Sequence, residues 1–223
     1  MIGYWFSRSD GTTQHLKDPA AVGKTHYYKG EPVPCHTGLH FSPTPRDALS
    51  YACGPIMWEV EGPDDARPHG DPVDKHSGKW RRYLRRVDLT RVLRQFAARE
   101  ALRVIDRWDA PAIVREYLED GAKGIDRVDI RLEAWAAAST AEMLTSAAKG
   151  SGAAEAAASV APASKPDAIV IAAIGASNAA IAAARPSPRV AGRNNWIGEM
   201  AAARHAARER FNEMALKALE EAE

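Results

Sequence analysis

Of the 43 alanines in this 223-residue chain, 38 lie after Phe96. No other feature limits the fold as strongly. Alanine is the best helix former, and its small side chain lets helices approach closely while burying little area. Helices are therefore expected beyond about residue 97. Upstream the composition inverts: 12 of the 16 aromatic residues and 9 of the 14 prolines lie at or before Trp108. Aromatics favour strands and prolines punctuate turns. The chain reads as α+β. A β-rich N-terminal module with one short helix spans 1–88. An alanine-rich helical bundle follows over 89–223, with a loop or linker at 150–166.

Local patterns place the elements. Ile2 to Phe6 is an aromatic, strand-like start closed by Ser9-Asp10-Gly11. Leu39-His40-Phe41 is a short apolar run. Thr44, Pro45 and Asp47 are a cap, a first-position proline and a first-turn acid, so a helix is predicted there, stopped at Gly54-Pro55. Ile56, Trp58 and Val60 alternate with Met57, Glu59 and Glu61 as a strand does. The stretch 62–78 reads as a long polar loop, and 80–87 as a strand.

From Leu89 the period becomes helical. Leu89, Val92, Leu93, Phe96, Ala97, Ala101, Val104, Ile105 and Trp108 form one stripe. A short helix over 112–118 should end near Gly121. A third helix, 126–149, should turn Val128, Leu132, Trp135 and Met143 to one side. Asp167 should cap a fourth, over 168–184, stopped by Arg185-Pro186-Ser187-Pro188. Asn194 or Asn195 should cap a fifth, 196–221, with Met200, Ala203, Ala207, Phe211, Met214 and Ala218 inward. A core so rich in alanine is thin, which leaves room for self-association.

Several classes lose support. The two cysteines, Cys35 and Cys53, are too few for a disulfide scaffold and read as free thiols. The N-terminus lacks the pattern of a secretory signal, and no stretch is apolar enough to span a membrane, so a cytoplasmic protein is expected. Cys35-His36-Thr37-Gly38-Leu39-His40 is the densest polar cluster, but no Cys-x-x-Cys accompanies it, and no metal site is assigned. The phosphate-loop, dinucleotide, zinc-protease and serine-hydrolase motifs do not occur.

Charge is locally uneven. Between residues 75 and 107 there are eleven Lys/Arg against three Asp/Glu, a net of +8 in a chain whose total is +1. Arg81, Arg82, Arg85 and Arg86 alternate with Trp80 and Tyr83. Arg91, Arg94, Arg99 and Arg103 stand off the apolar stripe. Together they are the candidate binding surface for an acidic protein or nucleic acid.

Three resemblances add to this reading. Gly23-Lys24-Thr25-x-Tyr27, Gly30-x-Pro32, Cys35-x-x-Gly38-Leu39-His40-Phe41, Pro45-x-Asp47-Ala48-Leu49-x-Tyr51, Trp58-Glu59-Val60-Glu61-Gly62 and Asp74-Lys75 resemble, over about 1–90, a small domain of tailed-phage and prophage proteins. The last helix, with Ala201-Ala-Ala-Arg204 and Asn212-Glu213, resembles alanine-rich helical domains of immunity proteins. Gly38-Leu39-His40-Phe41-Ser42 followed by Ala48 and Tyr51 is similar to the central segment of poly(ADP-ribose)-polymerase-type ADP-ribosyltransferases. That likeness implies NAD as cofactor, Tyr51 stacked on nicotinamide, His40 where the family has Tyr, and Glu59 or Glu61 as the catalytic acid. His15 lacks the glycine that follows the family's first histidine.

The resulting expectation is a phage or mobile-element accessory protein. It would act as a macromolecule-binding module on a host or phage complex, countering a host defence system, without a cofactor. The alternatives are an ADP-ribosyltransferase-like enzyme using NAD through His40, Tyr51 and Glu59, and a structural or assembly component of a virion.

Overall fold

The computed structural model describes residues 1–12, 18–145, 151–160, 168–183 and 193–222. It is an α+β protein with seven strands and seven α-helices among those residues. Two compact units divide the chain: Met1–Thr90 with Phe211–Glu223, and Arg91–Arg210. The final residues, which the sequence pattern groups with the helices, thus fall in the first unit.

The first unit is built on two antiparallel sheets. One has the order β1 (Ile2–Ser7), β4 (Ile56–Glu61), β7 (Trp80–Asp88), β2 (Thr25–Tyr27). The other has the order β3 (Leu39–Phe41), β6 (Lys75–Gly78), β5 (Arg67–His69). Paired hydrogen bonds between Tyr4 and Ser42, both 2.8 Å, join β1 to the end of β3. Register sets Trp5 opposite Trp58 and Tyr83 opposite Val60, so these side chains share one sheet face. Phe41, Ile56, Trp58, Val60 and Tyr83 form its buried core, with Trp5 packed against them. A register shift between Glu59 and Val60 leaves Leu84 unpaired and brings Arg85 opposite Glu59.

The stretch 62–78 is not the long loop its polarity predicts. It carries β5 and β6, and ladder pairing satisfies backbone groups that composition does not reveal. The predicted short helix is present as α1 (Pro45–Leu49), and 80–87 is strand.

In the second unit, α2 (Thr90–Leu102) and a 3-10 turn (Ile105–Arg107) replace one continuous helix, but the predicted stripe faces inward: Leu93, Phe96, Ala97, Ala101, Val104 and Ile105 are buried. The next helix, α3 (Ala112–Lys123), runs past Gly121, which packs beside Ala98. It stops at Gly124, whose φ of 86° closes the end. The stripe expected on α4 (Arg131–Thr145) is inverted. Leu132 is 76% and Trp135 43% exposed, while Ala134 and Ala138 are buried. Close packing of α4 on its neighbour selects the smallest side chains.

Residues Ser151–Val160, expected within a loop or linker at 150–166, form α5. Their alanines favour helix more strongly than the flanking Gly and Ser oppose it. Residue 150, the stretch 161–166, the Asp167 cap and the stop at 185–188 lie outside the described residues. Helix α6 (Ala168–Ala183) agrees with expectation. The last helix, α7 (Arg193–Glu220), begins before Asn194 and Asn195, so neither is its cap. Its buried residues Ala207, Phe211, Ala215 and Leu219 recur every four positions, whereas Met214 and Ala218 are only half-buried. Among the described residues, no helix is long and apolar enough to cross a membrane.

Candidate functional site

The first unit contains a cleft of about 540 Å³. Its wall comes from β1, the 35–38 loop, β3, the end of α1, and the first residues of β6 and β7. Each segment is held there by local chemistry. Val33 and Thr37 exchange backbone hydrogen bonds at 3.1 and 2.8 Å, and the Thr37 hydroxyl donates to the Glu31 carbonyl at 2.9 Å. This tight loop carries Cys35 at φ 66°. Gly38 follows at φ 98°, where a Cβ would lie 2.4 Å from Ser77 Oγ, so only glycine fits. Helix α1 is capped by Thr44, whose Oγ1 accepts from Asp47 N at 3.2 Å and donates to Asp47 Oδ2 at 2.7 Å. Tyr51 lies just past its end, bonded back to the Ala48 carbonyl at 3.0 Å.

Arg81 is the central cation. It is 2% exposed, and its guanidinium carbon sits 3.8 Å from the centroid of Trp5. One terminal nitrogen donates to the His40 carbonyl and the other to the Tyr83 hydroxyl at 2.9 Å. Its Nε has no hydrogen-bond partner among the described residues. Burial disfavours its charge, pulling its pKa below the ordinary arginine range. The Tyr83 hydroxyl, accepting from Arg81, is free to donate to His26 Nδ1 at 2.8 Å. That assignment leaves the imidazole proton on Nε2, 3.4 Å from Asp18 Oδ2.

Lys75 and Tyr51 form the second cluster. Lys75 Nζ lies 3.7 Å from the Tyr51 ring centroid and donates to Cys35 Sγ at 3.3 Å. The Tyr51 hydroxyl donates to Asp74 Oδ2 at 2.7 Å, and Asp74 Oδ1 is 3.3 Å from His69 Nδ1. Burial first, then the Asp74 hydrogen bond, pushes the Tyr51 phenol up to about 12. Tyr51 is therefore a fixed donor at neutral pH. Those same bonds from Tyr51 and His69 outweigh burial and hold the Asp74 carboxyl below its usual range.

His40 and Tyr51, proposed from sequence as a pair, do line the same cleft. Glu59 does not. It forms a two-pronged ion pair with Arg85, at 2.8 and 3.1 Å. Among the described residues that line the cleft, none is Asp or Glu. The four arginines of β7 do not make one surface. Arg81 is in the cleft, Arg85 is on Glu59, Arg82 is exposed, and Arg86 lies 6.0 Å from the Trp58 ring centroid. The other four belong to the second unit, where Arg94 pairs with Asp126 at 3.0 Å and Arg91, Arg99 and Arg103 are exposed. Among the described residues, no group of three His, Cys, Asp or Glu side chains could hold a metal ion.

Trp5, Cys35 and Lys75 were not grouped by sequence reasoning. Cys35, Tyr51 and Asp74-Lys75 were each singled out in the sequence, and these were the signals for the second cluster. No protein-family model, curated protein or solved structure matches the chain.

Proposed function

We propose that the N-terminal unit is a ligand-binding head whose cleft takes a ring-bearing anion of the nucleotide class, and that it binds this ligand without transferring it. The observation that carries the reading is Arg81: a buried cation on an aromatic face, in a cleft without a carboxylate. Burying a charge is costly unless an opposite charge compensates it, and an incoming anion supplies that compensation. Four aromatic residues, Trp5, Tyr27, Tyr28 and Tyr51, line the same space. The likeness of the 38–51 segment to ADP-ribosyltransferases makes NAD the first ligand to test. The position of Glu59, outside the cleft and tied to Arg85, argues for binding over transfer. The phage-domain motif order supports a role as a mobile-element accessory protein, and two cysteines outside any disulfide suit a reducing cytoplasm.

Calorimetry of the full chain with NAD, ADP-ribose and AMP tests the proposal. Binding of at least one is expected. Arg81→Met should weaken it about 10- to 100-fold, the range for losing a charge-assisted contact. Tyr51→Ala, at a partly exposed position where folding is safe, should weaken it too. No heat with any of the three, from protein with native circular dichroism, overturns the reading.

A further inference from the structure

Lys75 repeats, at the cleft's other cluster, the arrangement that makes Arg81 unusual. It is 6% exposed, it rests on an aromatic face, and it lines the same cleft. Its contacts are the Tyr51 ring and the Cys35 sulfur, and no carboxylate lies within ion-pair distance among the described residues. A thiol is a weak acceptor, and a ring face compensates an ammonium only in part. The carboxylate best placed in sequence to neutralise it, Asp74, is turned instead to Tyr51 and His69. Asp74 thus pins the ring beneath the ammonium from beyond ion-pair distance, although the Lys75 charge still reaches its carboxyl. An ammonium has three N–H donors. The sulfur takes one and the ring face a second, which leaves a third for a ligand.

The two cations suit different tasks. Arg81 is fixed in a plane by Trp5, Tyr83 and the His40 carbonyl, so it offers an oriented donor. Lys75 is a compact point charge at the end of a flexible stem. A ligand with one anionic group satisfies one of them and leaves the other buried with no anion in contact. A ligand with two such groups, or a diphosphate, satisfies both.

We propose that Lys75 is a second anion seat in the cleft, and that the preferred ligand therefore carries two anionic groups, one on Arg81 and the other on Lys75. This rests on the reading of the cleft as an anion site. Cys35 and Asp74 are positioning residues here: the first orients the ammonium, and the second holds the ring under it.

AMP against ADP, and inorganic phosphate against pyrophosphate, are the probes, titrated into wild type and Lys75→Met by calorimetry. Wild type should favour the diphosphate member of each pair by about tenfold or more, the effect of one added charge-assisted contact. Lys75→Met should erase that preference by weakening ADP and pyrophosphate more than AMP and phosphate. A preference that survives in Lys75→Met overturns the second seat yet leaves the anion cleft standing. Loss of all binding in wild type fails both. Unliganded Lys75→Met should also melt no lower than wild type, because an apolar side chain of similar length replaces a buried charge that has no carboxylate in contact. A lower melting temperature, or failure to fold, marks Lys75 as structural and overturns the assignment.

Discussion

The two units bury their cores by opposite means. The first packs Phe6, Phe41, Trp58 and Tyr83, large rings held by edge-on contacts such as Trp58 to Tyr83 at 5.2 Å. The second packs Ala97, Ala138, Ala173, Ala176 and Ala180, side chains with almost no volume. The difference lies in what fills space. In the head, side chains fill it, so a cleft persists wherever rings fail to meet. In the helices the backbones themselves come together, and that leaves no comparable room. The cleft lined by Trp5, His40 and Tyr51 in the head fits this contrast.

The sharpest way to break the comparison is to remove a ring. Trp58→Ala should cost about 3–5 kcal/mol, the range for large aromatic truncations. Trp58 is nearly fully buried, and its indole donates to Ser7 Oγ at 3.0 Å. Denaturant midpoints of variant and wild type measure the loss. A cost under about 1 kcal/mol would mean that the rings do not hold the head together.

The helical unit should fail by the reverse change. Ala173 is wholly buried on α6. Ala173→Leu should destabilise by about 1–3 kcal/mol through overpacking, although leucine is almost as good a helix former. Melting followed by far-UV circular dichroism reads this. Tolerance within experimental scatter would show that the alanine helices are loosely packed.

A smaller effect separates the cleft from the core beneath it. Thr44→Ala removes the cap of α1, at a cost of about 1 kcal/mol. Tyr51 follows directly on that helix, so ligand affinity should fall alongside stability. A loss of stability without a loss of affinity would detach the helix cap from the position of Tyr51.

The contrast between the units was legible in the sequence because composition and period are local signals. Alanine content and the 3.6-residue stripe announce α2 and α6, and Thr44-Pro45-x-Asp47 announces α1. The site was only half legible. Gly38, His40 and Tyr51 sit close together in the chain and were found. Trp5, Lys75 and Arg81 come from three strands, and only sheet register brings them to one space. The arginine run misled because a strand turns alternate residues to opposite faces. Arg81 goes inward and Arg82 outward, so a continuous basic segment is not a continuous basic surface. The helix α4 stripe misled for another reason. Leu132 and Trp135 have the spacing of a core face, but close helix contact takes Ala134 and Ala138 instead.

The smallest expected effect is acid sensitivity, and it too divides the units. Burial depresses the pKa of His26 and His76, both in the head, below the ordinary 6.5. Lys24 and Arg81 add to the effect at His26, and Asp18 opposes it. In the pH range just below 6.5 the unfolded chain takes up protons that the folded head refuses. Stability is therefore full above that value and declines as pH falls through the window toward the folded pKa values. The lowered carboxyl groups Asp120 and Asp129 of the second unit respond only near or below their ordinary value of 3.8, well outside this window. Between about pH 7 and pH 5, stability against denaturant should thus fall, and the double variant His26→Gln with His76→Gln should flatten that fall. An equal slope in the double variant would assign the acid response to groups other than the two buried imidazoles, and the head would lose its claim to be the pH-sensitive half.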